Sequence, residues 1–341
     1  MIHSSEKQPS SGPLRWGVLS SAKIARNYVV PAMMKARRTE VAGLASRQPD
    51  VAAATAKALG IPKGYGSYEA LLSDPDIDAI YNPLPNHLHA EWTIKALQAG
   101  KHVLCEKPLG LSAPEVNRMR MTAEARPDQL LMEGFMYRYH PQWTFVTDQI
   151  RSGRIGQVQL VQGHFSYYNT NKDDIRNIAA FGGGGLLDIG CYCVSAARWI
   201  FGQEPEQVIG HEIHHPETGV DTLSSGIMHF GNGIATFSCG TALNAWQGIV
   251  IGGTDGRIEI NVPFNPPADQ PARVHVHAGG THEVHETMPA NQFMLQAEAF
   301  AACVLDGAAP ALPLEESAAN MFTLDELRRS ARERCWISLE A

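Results

Sequence analysis

The first part of the chain alternates short apolar runs with stretches of helical periodicity. Such alternation is typical of βαβ units around a parallel sheet. The apolar runs predict strands at residues 15–19, 41–45, 78–81, 102–105 and 130–132. The stretches between them predict helices over residues 22–36, over 49–59 before Gly60, over 87–99 before Gly100, and from a capping box at Ser112 and Glu115 onward.

The second part has a different pattern, in which polar and apolar residues alternate over long stretches. Period-2 alternation with glycine-containing turns predicts an open, mostly antiparallel sheet. The predicted strands are 158–168, 208–214, 222–230, 234–241 and 248–260. The predicted helices are 142–151, 185–200, 291–305 and 315–334. The change of pattern places a domain boundary near residues 133–140, which divides the chain into an α/β part and an α+β part.

Charge and the terminal segment narrow the class of protein. The 341 residues include 28 Lys and Arg and 35 Asp and Glu, a net charge of −7. This acidic balance argues against nucleic acid or an anionic membrane as the main partner. No apolar run approaches the roughly 20 residues that span a bilayer, and residues 1–13 predict a flexible arm rather than a secretory signal. Six cysteines are too few for a disulfide scaffold, so we expect a reduced, cytoplasmic protein.

The turn after the first predicted strand is where a dinucleotide fingerprint, G-x-G-x-x-G/A, would lie. This chain has Ser20, Ala22 and Ala25 at the three fingerprint positions. Small residues still let the backbone approach a pyrophosphate at a helix N-terminus. Without glycine, the turn is compatible with a dinucleotide site and also with an ordinary tight strand–helix connection.

Two polar segments follow later predicted strands. Residues 83–89, PLPNHLH, come after one strand, and residues 105–108, CEKP, come after the next. Both lie at carboxyl ends of parallel strands, where open α/β sheets bind ligands. Lys107 alone would be a surface lysine in most proteins, but at this edge it becomes a candidate hydrogen-bonding cation or proton relay.

With these segments the chain resembles the Gfo/Idh/MocA oxidoreductases, the family of glucose–fructose oxidoreductase, inositol dehydrogenase and rhizopine-catabolism proteins. The most specific motif is Glu106-Lys107-Pro108. The likeness extends through residues 132–141, 183–192 and 263–266 and the helix that carries Gln292, Gln296 and Phe300. It therefore covers nearly the whole chain beyond the arm.

The resemblance implies an N-terminal Rossmann dinucleotide-binding domain over residues 14–133. A C-terminal α+β domain over residues 134–341 would bind substrate and mediate oligomerisation. The implied reaction is hydride transfer between a nicotinamide and a ring carbon of a pyranose sugar or cyclic polyol, with oxidation of an aldose at C1 as the best fit. The residues expected to contact the cofactor are Ser20, Ser21, Ala22, Lys23, Ile24, Ser46, Arg47, Pro83, Leu84, Asn86, His89, Glu106 and Lys107.

The nearest likeness within the family is to sugar and dihydrodiol dehydrogenases with Asp and Tyr four residues apart, as Asp188 and Tyr192 are here. Residues at this spacing share a helix face. We expect Tyr192 to be the general acid/base, Lys107 the cation that favours its phenolate, and Asp188 a ligand of a neighbouring substrate hydroxyl. Two alternatives stay open: Lys107 is itself the proton relay, or Asp188 and Tyr192 are ordinary structural residues. Further substrate contacts are expected at the domain junction from Arg138, Tyr139 and His140.

The end of the second predicted strand favours NADP over NAD. A site for NAD usually has an acidic residue there that binds the ribose hydroxyls. This chain has Ser46 and Arg47 instead, and the first acid is Asp50. A guanidinium can grip a 2′-phosphate with charge-assisted bonds. A simple helix-capping role for Arg47 is the alternative.

The remaining features concern metals, oligomers and rival functions. His275 and His277 share a strand face, but no carboxylate or cysteine cluster completes a ligand set, so no metal site is expected. A single sheet with one uncovered face predicts a homodimer or higher homo-oligomer, most simply a dimer. The alternative is that the closing helices cover that face within one chain. The rival functions are a trans-dihydrodiol dehydrogenase, an oxidoreductase that retains its NADP, and a non-catalytic dinucleotide sensor. A sensor would need neither Lys107 nor Tyr192.

Overall fold

The computed structural model describes residues 12–339, so nearly all of the predicted arm at residues 1–13 lies outside the described residues. Within that range, six parallel strands form a first sheet in the order β3-β2-β1-β4-β5-β6. The strands are β1 Leu14–Leu19, β2 Thr39–Ala45, β3 Lys63–Tyr65, β4 Ala79–Asn82, β5 His102–Cys105 and β6 Leu131–Glu133. The strand order reverses beside β1, and such a switch point is where open α/β sheets bind ligands. The predicted Rossmann-type sheet is confirmed.

Helices connect the strands of this first sheet. They are α1 Val30–Met33, α2 Pro49–Leu59, α3 Tyr68–Leu72, α4 His89–Gln98 and α5 Ala113–Glu124. A turn of π-helix at Ala25–Val29 leads directly into α1, so the helix predicted over 22–36 contains a widened turn. Gly60 ends α2 with φ of 72°, the left-handed conformation that favours glycine after a helix.

A second, nine-stranded sheet follows in the described chain, with the order β14-β13-β12-β11-β7-β10-β9-β8-β15. Strands β7 and β10 pair in parallel, and the other pairs are antiparallel, which confirms the mostly antiparallel prediction. The strands are β7 Val158–Tyr168, β8 Gln207–His214, β9 Asp221–Phe230, β10 Gly233–Gly240, β11 Ala242–Gly253, β12 Gly256–Ile260, β13 Arg273–Ala278, β14 Thr281–Glu286 and β15 Ile337–Ser338.

The single strand predicted over residues 248–260 is wrong, because a hairpin divides it into β11 and β12. The turn at Thr254 and Asp255 is held from outside the hairpin. The N–H of Thr254 donates to the Gln157 carbonyl and that of Asp255 to the Ile155 carbonyl, both at 3.0 Å. These are contacts with a distant segment, which alternation of residue types does not reveal.

Helices cover one face of the second sheet. The helices of this part are α6 Pro141–Arg151, α7 Cys191–Phe201, α8 Gln292–Asp306 and α9 Leu314–Glu333. Helices α6, α7 and α9 pack on the sheet, where Ala235, Phe237 and Cys239 of β10 are buried. On the opposite face Ile234 is 43% exposed. The apolar alternation along β10 therefore serves the core, and no helix among residues 12–339 covers the other face.

The C-terminal part also packs on the first sheet. The ring of Phe300 on α8 lies 4.7 Å from the ring of Trp16 on β1, and both side chains are fully buried. Across the other end, the carboxylate of Asp325 on α9 accepts the N–H of Ala113 at 2.7 Å. The two parts are thus interlocked by helices that follow the second sheet in the chain.

That contact corrects the predicted capping box at the start of α5. The side chain of Ser112 makes no capping hydrogen bond, and the first amide of the helix, Ala113 N–H, donates to the Asp325 carboxylate. Glu115 accepts the N–H of Leu111 at 2.9 Å, one residue before the position that a capping box requires. A tertiary contact therefore replaces the local one.

One helical stretch of the described chain, Ala179–Phe201, is long and apolar enough to cross a membrane by length and composition, contrary to the prediction of no such run. Its most apolar window is 72% buried inside the protein. This burial is typical of the core helix of a globular fold. The stretch contains α7 and the turns before it, which position the residues described next.

Candidate active site

A cavity of about 780 Å³ lies between the two parts of the molecule. Its floor is formed at the carboxyl ends of β4 and β5, and its opposite wall comes from β7, the turns before α7 and the start of α8. The predicted site residues that line it are Ile24, Pro83, Leu84, Asn86, Glu106, Lys107, Asp188 and Tyr192. The structure thus brings together residues that are up to 168 positions apart in the chain.

The ammonium of Lys107 joins the two walls. Its Nζ donates to the main-chain carbonyl of Asp188 at 2.6 Å and lies 3.2 Å from Oδ1 of the same residue. The other carboxylate oxygen accepts the hydroxyl of Tyr167 at 2.6 Å and lies 3.3 Å from Nε of Arg176. Asp188 is therefore the centre of a buried polar network, rather than a carboxylate with free oxygens for substrate alone.

The network fixes the charges of its members. Burial by itself would raise the pKa of Asp188, but Lys107, Arg176 and the Tyr167 hydroxyl hold it below its usual value. Burial would likewise lower the pKa of Lys107, yet the surrounding groups, among them the Asp188 carboxylate at 3.2 Å, raise it. Lys107 is accordingly an ammonium at all physiological pH values, and Asp188 is a carboxylate.

Tyr192 stands beside this ion pair. Lys107 Nζ lies 5.0 Å from the centroid of its ring, and the hydroxyl points to Sδ of Met136 at 3.5 Å. The ring is packed at 5.3 Å from each of the rings of Phe135 and Phe264. Burial raises the pKa of Tyr192 by more than Lys107 lowers it, so the phenol is protonated at neutral pH. Lys107 lowers the pKa of Tyr192, as expected of a cation that favours the phenolate, but this effect is smaller than that of burial.

The backbone before α7 explains how Asp188 and Tyr192 reach the cavity together. A π-helical turn at Leu186–Gly190 runs into α7, and its first amide, Leu186 N–H, donates to the Asp221 carboxylate at 2.6 Å. The glycine run before it approaches the other half closely. A Cβ on Gly182, whose φ is 75°, would lie 2.1 Å from a methyl carbon of Leu111.

The same glycine segment is bonded to the loop after β4. The side-chain amide of Asn86 donates to the Gly182 carbonyl at 2.9 Å, and the rings of His87 and Phe181 stack with centroids 4.4 Å apart. The loop after β4, which is predicted to contact the cofactor, is therefore also bonded to the opposite wall of the cavity.

Glu106 lies on the floor of the cavity. Its Oε1 accepts the hydroxyl of Tyr81 at 2.6 Å, and burial raises the pKa of the carboxyl group. Lys107 partly opposes that rise. Glu106 is thus oriented by a buried tyrosine from β4 that the sequence motif does not indicate.

The turn after β1 keeps the fingerprint geometry although it lacks glycine. Ser20 has φ of 75°, the left-handed conformation that the first fingerprint glycine normally supplies. Its Oγ accepts the N–H of Ala22 at 3.2 Å. Ser21, Ala22 and Lys23 continue the turn into the helix and, like Ser20, retain exposed surface. Ser20 therefore has the backbone conformation of the first fingerprint glycine, although it carries a side chain.

At the end of β2, Ser46 and Arg47 lie on the same edge of the sheet. The Ser46 hydroxyl oxygen accepts the N–H of Gln48 at 3.2 Å. Arg47 is exposed, and its guanidinium interacts with the hydroxyl of Tyr68, whose pKa it lowers against the larger effect of burial. The guanidinium thus lies at the sheet edge and does not cap α2, whose first-turn acid is Asp50.

Four predicted site residues are corrected. His89 is fully buried, with its ring nitrogens 2.8 and 2.7 Å from the carbonyl oxygens of Pro108 and Leu84, so it braces the floor rather than contacting a cofactor. The other three, Arg138, Tyr139 and His140, do not line the cavity.

Arg138, Tyr139 and His140 make contacts within the protein at the domain junction. Arg138 pairs with Glu316 at 2.8 Å and its guanidinium carbon lies 4.6 Å from the ring centroid of Trp199. The Tyr139 hydroxyl meets Sδ of Met132 at 3.1 Å, and the His140 ring caps α6 by accepting the Gln142 N–H. The buried contacts of Arg138 are those of a structural residue.

Two residues of the polar network around Asp188, Tyr167 and Arg176, were missing from the sequence prediction. Tyr167 belongs to the regular alternation of β7, and Arg176 lies in a single turn of 3₁₀-helix at Ile175–Asn177. Neither position carries a motif, so only the tertiary arrangement reveals them. No three His, Cys, Asp or Glu side chains among residues 12–339 converge as metal ligands.

The first sheet is parallel and carries a turn with the backbone conformation of a fingerprint glycine. A cluster of lysine, aspartate and tyrosine borders a cavity of substrate size beside it. Together these features define a two-domain dinucleotide-dependent oxidoreductase. The comparisons agree with this class. Residues 14–135 match the model of the oxidoreductase family with an NAD-binding Rossmann fold, and residues 143–259 match the C-terminal domain model of the same family. The chain belongs to the Gfo/Idh/MocA oxidoreductases.

Similar proteins cover almost the full length. An uncharacterized oxidoreductase of Rhizobium meliloti, ORF334, is 40% identical over 95% of this chain and 98% of its own. D-xylose 1-dehydrogenase (NADP(+)) 2 of Haloferax volcanii is 38% identical over 96% of this chain and 100% of its own. Among solved structures, the 3-ketoreductase KijD10 of Actinomadura kijaniata, in complex with NADP and TDP-benzene, has a TM-score of 0.88 at 35% identity and covers 94% of this chain and 98% of its own.

Proposed function

We propose that this protein is an NADP-dependent aldose 1-dehydrogenase that oxidises a xylose- or glucose-like pyranose to its lactone. The observation that carries the proposal is the Lys107–Asp188–Tyr192 cluster, which lies on the cavity between the two halves. The likeness to an NADP-dependent xylose dehydrogenase over the whole chain supports the choice of substrate class.

The residues present fit a nicotinamide dinucleotide. The left-handed Ser20 turn gives the close backbone approach that a pyrophosphate needs at a helix N-terminus. Arg47 at the edge of the sheet would hold the 2′-phosphate beside Ser46, and the loop of Pro83 and Leu84 would form the floor under the nicotinamide half. When bound, the nicotinamide supplies hydride exchange with the substrate carbon.

The protein's own groups then move the proton and fix the sugar. Tyr192 exchanges a proton with the reacting hydroxyl, which must lie within about 3 Å of its own hydroxyl. Lys107 is the fixed cation that stabilises negative charge as it develops on the phenol oxygen. Asp188 holds Lys107 in place and presents its carboxylate to the substrate side of the cavity.

A panel of aldoses, inositols and trans-dihydrodiols, assayed by NADPH formation, tests the proposal. We expect the highest kcat/KM for a pyranose aldose, with a lactone as product. A preference for an inositol or a dihydrodiol would contradict it. Absorbance of the purified protein at the nicotinamide band would reveal a retained cofactor, and activity with any of these substrates separates an enzyme from a dinucleotide sensor.

One observation favours a second candidate, the reduction of a keto sugar. Tyr192 is a protonated phenol at neutral pH, so it is ready to donate a proton to a carbonyl oxygen. The likeness to a 3-ketoreductase agrees with that direction. If NADPH is consumed with a 3-keto sugar more efficiently than it is formed with any aldose, this candidate replaces the first.

Arg47→Ala is expected to raise the KM for NADP by about tenfold or more and to change that for NAD little. The guanidinium can form paired bonds only with the 2′-phosphate, which NAD lacks. Steady-state kinetics with both cofactors measure the effect. Lys57→Ala removes an equal charge from the far end of α2 and serves as the control. Equal effects of Arg47→Ala on both cofactors would remove Arg47 from the site.

We also propose that two copies pair through the uncovered face of the second sheet. Ile227 and Ile234 are 37% and 43% exposed there, on neighbouring strands. Light scattering at micromolar concentration should give twice the mass of one chain. Ile227→Glu should then yield monomers, since a charge in the middle of the interface is not paired. Met121→Glu, at an exposed site on α5, is the control, and a monomeric wild type refutes the pairing.

A further inference from the structure

The cavity continues outward beyond the Lys107–Asp188–Tyr192 cluster, along the helix that follows the Ser20 turn. Ile24, Asn27, Tyr28, Pro31 and Lys35 all line it. They are separated by three, one, three and four residues, so at least one of them recurs at each turn on the same side of the helix. At about 1.5 Å per residue, this stripe leads roughly 16 Å away from the turn. We call the part of the cavity between this stripe and residues 265–268 and 291–293 the outer lobe.

An aromatic pair lies in the outer lobe. Tyr28 is 58% exposed although it lies in a cavity wall, and its ring is 6.2 Å from the ring of Phe293 at an angle of 39°. Exposed aromatic rings that contact little of their own protein are typical of binding surfaces. A flat apolar ring of this kind matches the C–H face of a pyranose.

The opposite wall of the outer lobe is fixed and mostly uncharged. Gln247 Oε1 accepts the N–H groups of Phe264 and Asn265 at 2.8 and 3.1 Å, which holds the loop that carries Asn265. Asn291 caps α8 by accepting the N–H groups of Phe293 and Met294. Amide side chains and prolines therefore surround the aromatic pair, and among the described lining residues of this lobe Lys35 alone carries a full charge.

We propose that the outer lobe is a subsite for a second sugar ring, linked glycosidically to the ring that is oxidised. This inference rests on the proposed function and extends its substrate from a monosaccharide to a disaccharide or longer saccharide. Aromatic and amide groups bind a neutral sugar by stacking and by hydrogen bonds. A nucleoside diphosphate would call for several cations or a helix N-terminus. The N-terminus of this helix lies at the opposite end of the stripe, at the Ser20 turn.

The volume is consistent with a second ring. A cavity of about 780 Å³ lies in the upper part of the range of small-molecule sites, roughly 300–1,000 Å³. Part of this volume belongs to the nicotinamide half above Pro83 and Leu84, and the cavity extends past Tyr192 to Tyr28. The second ring would fill that end while the first stays next to Tyr192.

The test compares xylose with xylobiose, and glucose with cellobiose, by NADPH formation. We expect the disaccharide to have the higher kcat/KM in at least one pair. Tyr28→Ala should lower the ratio of the disaccharide value to the monosaccharide value about tenfold, mainly through KM, because a ring contact is lost. Phe322→Ala removes an exposed ring on α9, outside the cavity, and should leave the ratio unchanged.

The outcomes separate this inference from the function it extends. If monosaccharides are oxidised but disaccharides are not, or if Tyr28→Ala lowers both values equally, the second-ring subsite is refuted and the aldose dehydrogenase stands. If thymidine diphosphate competes with the sugar and Lys35→Ala abolishes the competition, the lobe binds a nucleotide and the inference is overturned. Absence of NADPH with every sugar refutes both.

Discussion

Tyr192→Phe is expected to lower kcat by roughly 10²–10⁴ while NADP binding survives. The substitution removes only the hydroxyl, and the ring keeps its packing against Phe135, Phe165 and Phe264. Hydride leaves a carbinol carbon only as the hydroxyl proton is accepted. Within the cluster, Tyr192 has the one hydroxyl group that faces the cavity without being bonded to Asp188. Tyr167, the nearest candidate, is bonded to the Asp188 carboxylate.

Steady-state kinetics and a fluorescence titration with NADPH measure the two parts of this prediction. Tyr139→Phe is the matched control, because that hydroxyl contacts Met132 outside the cavity. In the wild type, the raised pKa of Tyr192 means that the phenolate becomes more populated as pH rises. The rate of sugar oxidation should therefore increase toward alkaline pH, and the rate of ketone reduction should not. A near-normal kcat of Tyr192→Phe across pH would remove the tyrosine from the chemistry.

Lys107→Met should lower kcat by at least about 10², with a smaller effect on folding than on activity. Methionine keeps the length of the side chain but removes the cation that holds the pKa of Asp188 down and opposes the rise at Glu106. Both carboxyl groups then become easier to protonate. The positive charge that stabilises a developing phenolate is lost as well.

Kinetics of Lys107→Met and Lys107→Arg, with thermal unfolding of each, test this role. Arginine keeps the charge and should retain more activity than methionine, whereas a proton relay would be lost in both variants. Lys95→Met, on the surface of α4, is the control for loss of a lysine. If Lys107→Met is inactive while Tyr192→Phe remains active, Lys107 is the proton relay and the assignment between the two residues is reversed.

Much of the fold follows from local pattern, because periods of 2 and 3.6 residues distinguish strands from helices. The limits of that reasoning lie in contacts between distant segments. At the start of α5, where the sequence predicts a capping box at Ser112, the first helical amide is bonded to Asp325, over 200 residues away. The hairpin at Thr254 and Asp255 depends on carbonyls of Ile155 and Gln157.

The candidate site divides in the same way. Lys107, Asp188 and Tyr192 could be predicted because each belongs to a recognisable motif next to a strand end or a glycine run. Tyr167 and Arg176 have no such context, although they determine the charge of Asp188. The motif that contains Arg138, Tyr139 and His140 could not show where their side chains point. These side chains contact α6, α9 and the core and do not line the cavity.

The bond from Lys107 to Asp188 spans the cleft, and so does the bond from Asn86 to Gly182. Any movement that separates the two walls would have to break both bonds at once. We therefore expect the Lys107–Asp188 pair to be complete only when the cleft is shut. If cofactor exchange needs such a movement, the rate of reopening becomes one possible limit on turnover.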